Sequence, residues 1–327
     1  MEIILKIIYN VALLFIMMIP GVIMKKCRLT TDGMGKGLSN LVLYIAQPAL
    51  IFLAYLRPYD KEILINSVYV FILSVVVHVI FSVVAMCCFK KSPDSARRML
   101  RFATIFSNAA FMGIPLISAV LEDSFPGATV YASIYNITFN LFLWSLGVYI
   151  CTDGRDENKN TIEDDVEHIK HGASPLKALY HPVTIAAVIG LVFFLLPIEG
   201  YVPGLITESF TMLKNLVAPL SMVVIGLRLA DMSFKGIFRD RDMYIFLALR
   251  HIILPLASVG VVKLAGLVVD IPEVVKMVIA IMAAAPAATS ATMFAEKYDC
   301  DADYVSRLVT VSTLISIVTM PLVLLLV

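Results

Sequence analysis

The sequence predicts an all-α polytopic membrane protein with ten transmembrane helices in two inverted five-helix repeats. Three observations lead there: an apolar composition, ten apolar stretches of spanning length, and one set of residue spacings that occurs twice. Of the 327 residues, 60% are hydrophobic and 16% charged, with a mean hydropathy of +0.89. A soluble domain could not bury that much apolar surface, whereas a lipid-facing helix bundle has no need to. The formal net charge of +1 gives no basic field for nucleic acid.

A bilayer core about 30 Å thick needs roughly 20 apolar residues per helix. Ten stretches meet this: 3–24, 38–56, 63–89, 99–121, 126–151, 177–196, 205–230, 243–269, 274–295 and 304–327. The first is too long for the apolar core of a signal peptide, and no small-residue cleavage site follows it, so it reads as a retained span. The connections are short apart from 152–176, an acidic segment with Gly154 and Gly172 and no hydrophobic period. It reads as a flexible linker between a first repeat, 1–151, and a second, 177–327.

Lysine and arginine orient the chain, because they are enriched in cytoplasmic loops. One set of alternate connections, including the linker, holds 15 of them, such as Lys25, Lys90, Arg98, Lys170, Arg239 and Lys297, and three more, Arg101, Lys177 and Arg307, stand just inside the adjoining spans, 18 in all. The opposite set holds 2, Arg57 and Lys61. Both termini are therefore expected on the extracytoplasmic side of the cell membrane and the linker in the cytoplasm.

The repeated spacing runs through both halves. Pro48, Leu56, Arg57 and Asp60 recur as Pro219, Leu227, Arg228 and Asp231, and Pro115 recurs as Pro286, all at an offset of 171. Five spans per half is odd, so the second copy enters the membrane upside down. Inverted repeats of this kind are a feature of secondary transporters, with the binding site near the midplane at the repeat interface.

Span 4 carries Ser107, Asn108, Gly113 and Pro115; span 9 carries Pro286, Thr289, Ser290 and Thr292 among small residues. Proline removes a backbone donor and clashes with the preceding turn, and glycine weakens the helix further. Both spans are expected to break near Pro115 and Pro286 into half-helices whose N–H ends face inward and attract a carboxylate. The plainer alternative for each proline is a packed kink. Gln47, Asn136 and Asn140 either line a cavity or bond between helices. His78, near the centre of span 3, either binds substrate or a proton or packs in a hydrogen-bonded core. Arg228 and Arg250 are expected to snorkel toward the cytoplasmic interface. No Asp or Glu lies deep in a span, which favours an anionic or neutral cargo over a cation.

The run Ser107-Asn108 to Gly113-Ile114-Pro115-Leu116 resembles the fourth span of the auxin efflux carrier family. So do Pro219-Leu220 with Gly226, Ala285-Pro286, and Ser312-Thr313-Leu314 with Pro321-Leu322. The resemblance covers nearly the whole chain. It implies a fold like that of the sodium/bile-acid symporters, with crossed helices 4 and 9 in a mobile domain. Spans 1, 2, 6 and 7 would then be a scaffold that often forms a homodimer. It also implies a small organic anion as cargo, of the kind of auxin, malate or malonate, and a carboxylate contact at Asn108. Ile279 takes the offset position in the second half, so that contact has no counterpart there. The linker is shorter than in the plant carriers.

Other classes leave no trace in the chain. A channel would need continuous polar stripes. Hydrolase and metalloprotease motifs are absent, as is a phosphate-binding loop for ATP. The five cysteines show no metal-ligand spacing and read as reduced thiols. No cofactor is expected. An ion-coupled carrier of this class would use H+ or Na+.

Overall fold

The computed structural model describes residues 2–31, 33–152, 180–196, 201–230 and 240–326. Most of the central linker, and Asp231 with its neighbours, lie outside the described residues. The helices are α1 (Glu2–Ile16), α2 (Ile19–Lys26), α3 (Met34–Tyr55), α4 (Lys61–Cys87), α5 (Asp94–Ile105), α6 (Ala109–Val120) and α7 (Ala128–Thr152). The second half holds α8 (Pro182–Leu195), α9 (Gly204–Asn215), α10 (Val217–Ala230), α11 (Arg241–Ala265), α12 (Glu273–Ala284), α13 (Ser290–Lys297) and α14 (Ala302–Leu324).

Among the described residues, seven helical segments are long and apolar enough to cross a bilayer. The expected fourth and ninth spans fall short because each is broken in the middle. The expected sixth appears as the short α8, and residues 177–179 lie outside the described residues. The outer faces are apolar: Phe71, Ile72, Val76, Val79 and Val83 of α4 are all exposed. In water such a stripe would be a liability; in a bilayer it is the lipid contact.

Glycines set the closest helix contacts. A Cβ on Gly226 of α10 would lie 2.0 Å from the Met18 carbonyl oxygen, and one on Gly21 of α2 would lie 2.2 Å from the Val223 carbonyl oxygen. Only hydrogen fits between these backbones, so α2 and α10 meet as small-residue faces do in lipid. Gly190 of α8 makes the matching approach to the Tyr55 ring on α3. The Tyr55 hydroxyl continues to Ser133 of α7 at 3.0 Å.

Wide π-turns occupy Val42–Ala46, Ala109–Gly113, Leu143–Gly147 and Leu249–Ile253. Three of them contain the residue four before a proline: Tyr44 before Pro48, Phe111 before Pro115, His251 before Pro255. A proline ring clashes with the carbonyl at that position, and a locally wider turn relieves the clash. The expectation for Pro115 is corrected here. It lies inside α6 and widens it, while the break falls earlier, at Phe106–Asn108. Pro286, in contrast, lies in the non-helical stretch between α12 and α13.

The turn after α6 is fastened by Glu122. It takes an ion pair from Arg57 at 2.6 Å and hydrogen bonds from the Gly127 and Thr129 N–H groups at 3.0 and 2.8 Å. Burial pushes this carboxyl up, but the two N–H groups and Arg57 outweigh it, and its pKa lies below the ordinary value. A depressed carboxylate stabilises the fold above its unfolded pKa of about 4.3 and stops doing so as pH falls through the folded value. Glu122→Gln is therefore expected to lower the melting temperature at pH 7, with the gap to the parent closing below about pH 4. Thermal unfolding at the two pH values checks this.

Candidate functional site

The two broken spans cross at their breaks. Ser107 and Ala287 form an isolated antiparallel bridge. The Asn108 N–H donates to the Pro286 carbonyl at 2.7 Å, and the Ala288 N–H to the Phe106 carbonyl at 2.8 Å. Inside lipid every backbone group needs a partner, and each broken segment supplies the other's. Gly113 permits the approach: a Cβ there would meet the Met282 sulfur at 2.5 Å. Because Ser107 pairs with Ala287, the true alignment of the breaks differs from the 171 offset that relates Pro115 to Pro286.

The crossing has two chemically different sides. On one, the C-terminal ends of α5 and α12 present carbonyls to Arg250, a fully buried residue in the π-turn of α11. Its guanidinium donates to Ala285 O, Ala283 O and Thr104 O. The snorkelling expectation for Arg250 is thus overturned; the widened turn aims it inward. Next to it, the His251 Nε2 is 2.8 Å from Ser312 Oγ, which accepts the Ala287 N–H at 2.9 Å. The Thr319 hydroxyl donates to the Ile315 carbonyl at 3.2 Å, which leaves its oxygen to accept from His251 Nδ1–H at 3.0 Å; a neutral ring then accepts the Ser312 proton at Nε2.

On the other side, the N-terminal ends of α6 and α13 border a cavity of about 160 Å³. That is well below the roughly 300–1,000 Å³ of pockets for drug-sized ligands, so it suits a small one. Ser107, Asn108, Asn140, Thr289 and Ser290 of the expected set line it, together with Asn136, Trp144 and His181. Among the described residues, six buried polar atoms of the lining have no hydrogen-bond partner: the donors Asn108 Nδ2, Asn140 Nδ2 and Trp144 Nε1, the Ser107 hydroxyl, the acceptor Asn136 Oδ1, and His181 Nδ1. Asn108 Oδ1 faces the Thr289 hydroxyl at 3.5 Å, which leaves its amide nitrogen toward the cavity. Among the described residues, no Asp, Glu, Lys or Arg lines the space. An unpaired buried donor is costly, and three around one cavity match a ligand rich in acceptors. A larger groove of about 850 Å³ between α3, α8 and α9, lined by Phe52, Phe193 and Phe210, is apolar and lacks such groups.

The other expected residues lie outside that lining. Gln47 Nε2 bonds the Ala110 carbonyl, tying α3 to α6. His78 Nδ1 lies 2.7 Å from the Ser74 carbonyl, one turn back, and its ring stacks on Phe142 at 5.2 Å, a packed core histidine. Gly113, Pro115 and Pro286 shape the backbone. Thr292 receives Arg228 at 3.1 Å, and Arg228 also donates to the Thr289 carbonyl. Arg228 therefore turns to the start of α13 and does not snorkel. Reading the sequence missed Trp144 and His181. Trp144 carried a signal, as the chain's single tryptophan; His181 precedes α8 and carried none.

A lipid-facing helical bundle with a polar cavity at two broken helices defines a membrane transport protein. The comparisons agree. A family model described as membrane transport protein matches residues 6–324, and the chain belongs to that family, the auxin efflux carrier family of the motifs above. It is 22% identical over 318 residues to an uncharacterized transporter of Methanocaldococcus jannaschii, covering 95% of this chain and 96% of that protein. It is 24% identical over 310 residues to an uncharacterized transporter of Methanothermobacter thermautotrophicus, covering 94% of each.

Proposed function

We propose that the protein carries a small organic anion, a mono- or dicarboxylate, across the cell membrane by alternating access. The observation that carries this reading is the set of unpartnered donors, Asn108, Asn140 and Trp144, around a cavity that no described carboxylate lines. The N-terminal ends of α6 and α13 add a further pull on negative charge, each worth up to about 2 kcal/mol when partly buried. Ten spans in two inverted repeats, 1–151 and 177–327, joined by a cytoplasmic linker, remain the architecture of this proposal. It is supported by the packing of α2 on α10 and of α8 on α3, whose close contacts fall at Gly226 and Tyr55, 171 residues apart. In that arrangement α1, α2, α3, α8, α9 and α10 are the scaffold and the surface for a homodimer.

Thermal stabilisation of the purified protein by acetate, malonate, malate and indole-3-acetate, each beside its amide, tests the reading. A ligand at 100 times its Kd adds about 2.7 kcal/mol to stability. At least one acid is expected to raise the melting temperature with dose, and its amide is not. Stabilisation by amides alone would assign a neutral cargo instead. Flux of the binding acid in proteoliposomes, with and without Na+ or a pH gradient, then identifies the coupling ion.

A further inference from the structure

We propose that Arg250 is the positioning residue of the crossing. Its guanidinium is a tethered cation that holds the carbonyl ends of α5 and α12 together, and this turns the N–H ends of α6 and α13 toward the cavity. The side chain is fully buried, and each of its four hydrogen bonds goes to a backbone carbonyl. Nε reaches Ala285 O at 3.1 Å, Nη2 reaches Ala285 O at 2.5 Å and Ala283 O at 2.9 Å, and Nη1 reaches Thr104 O at 3.2 Å. These oxygens belong to the last turn or C-cap of the two half-helices that end at the crossing. No described carboxylate bonds to the guanidinium. The Phe81 ring covers it, 5.7 Å from the guanidinium carbon to the ring centroid.

The charges balance without an acid. A helix C-terminus is equivalent to roughly −0.5 of an elementary charge, so two of them match one guanidinium. Arginine suits the place because it stays protonated when desolvated and spreads its donors over a planar fork. Without it, two sets of unpaired carbonyls would face each other in a low-dielectric interior, and the crossing would open. The same crossing sets where Asn108 and the first residues of α6 and α13 stand. Arg250 therefore acts on the ligand through the backbone and does not touch it: none of the cavity lining is Arg250.

The part of this inference that concerns ligand affinity rests on the anion reading above; the part that concerns the crossing does not. The test uses the full chain with Arg250→Lys, Arg250→Gln and Arg250→Met. Hydrogen–deuterium exchange reports the amides of 104–109 and 285–289, which include the paired N–H groups of Asn108 and Ala288. In the Gln and Met variants these segments are expected to exchange at least tenfold faster, with α4 and α14 unchanged. The Lys variant keeps the charge but not the fork, and its exchange is expected to lie between the parent and Arg250→Met. In parallel, the Kd of whichever of the four acids binds the parent is expected to rise tenfold or more in the Gln and Met variants. The discrimination between that acid and its amide should shrink with it. Loss of packing alone would weaken acid and amide alike. Parent-like exchange in Arg250→Met would overturn the proposal, as would Arg250→Lys exchanging as fast as Arg250→Met. Failure of all three variants to fold would also overturn it, since shape and not charge would then be what matters. If no acid binds the parent protein, the anion reading fails and the exchange measurement alone decides the role of Arg250.

Discussion

Asn108→Asp is expected to abolish binding of the anion in a protein that still folds. The substitution keeps the shape of the side chain and replaces its unpartnered Nδ2 donor with a carboxylate oxygen at the cavity wall. Two like charges about 4 Å apart repel by roughly 4 kcal/mol at the effective dielectric of a partly buried site, about a thousandfold in affinity. Asn108→Ala removes only a hydrogen bond to a charged group, worth about 1.5–3 kcal/mol, so a loss of roughly ten- to hundredfold is expected. The order Asp far below Ala, Ala below parent, is the signature of a donor facing negative charge. Titration of the two purified variants with the acid that stabilises the parent measures it. If the Asp variant bound that acid as well as the Ala variant does, the ligand at Asn108 would not be an anion.

The largest effect on stability is expected at Gly226. Gly226→Ala places a methyl group 2.0 Å from the Met18 carbonyl oxygen and 3.0 Å from its carbon, both of them backbone. No rotamer change relieves that, so α2 and α10 must part. Overpacking of this kind costs typically about 1–3 kcal/mol, and a backbone clash belongs at the upper end. Gly260→Ala on α11 is the control, because a Cβ there finds nothing within 4 Å. In a helix interior alanine is better than glycine by about 0.5–1 kcal/mol, so the control should be neutral or stabilising. One substitution type thus gives opposite signs at two helical sites. Melting temperatures in the same detergent check both.

The existence of the breaks in spans 4 and 9 was legible in sequence, because proline and glycine interrupt apolar runs there. Their register was not. The equal spacing from Pro48 to Pro115 and from Pro219 to Pro286 invited a pairing of prolines, but Pro115 widens a continuous helix and Pro286 lies in the crossing itself. Asn108 could be found from its place about two turns ahead of Pro115 and from its match to the family's asparagine. Arg250 was misread for a physical reason. Hydropathy treats a basic residue two turns into a span as bound for the interface, and Pro255 marks a widened turn without saying which way it aims Arg250. Trp144 and His181 join the cavity only through tertiary packing. Gly226 stood in a recognisable motif, yet the motif did not say which backbone it approaches.

The exchange of hydrogen bonds at the crossing limits how the molecule can change shape. Among the described residues, Asn108 N–H to Pro286 O and Ala288 N–H to Phe106 O are the links that satisfy those groups. Separating the two strands would leave four polar groups bare in hydrocarbon, at several kcal/mol each. Sliding one past the other would do the same. Any motion that switches the cavity between the two faces of the membrane must therefore carry both strands as one rigid body. The give has to come from surfaces without such bonds, where apolar side chains and lipid can exchange neighbours at little cost.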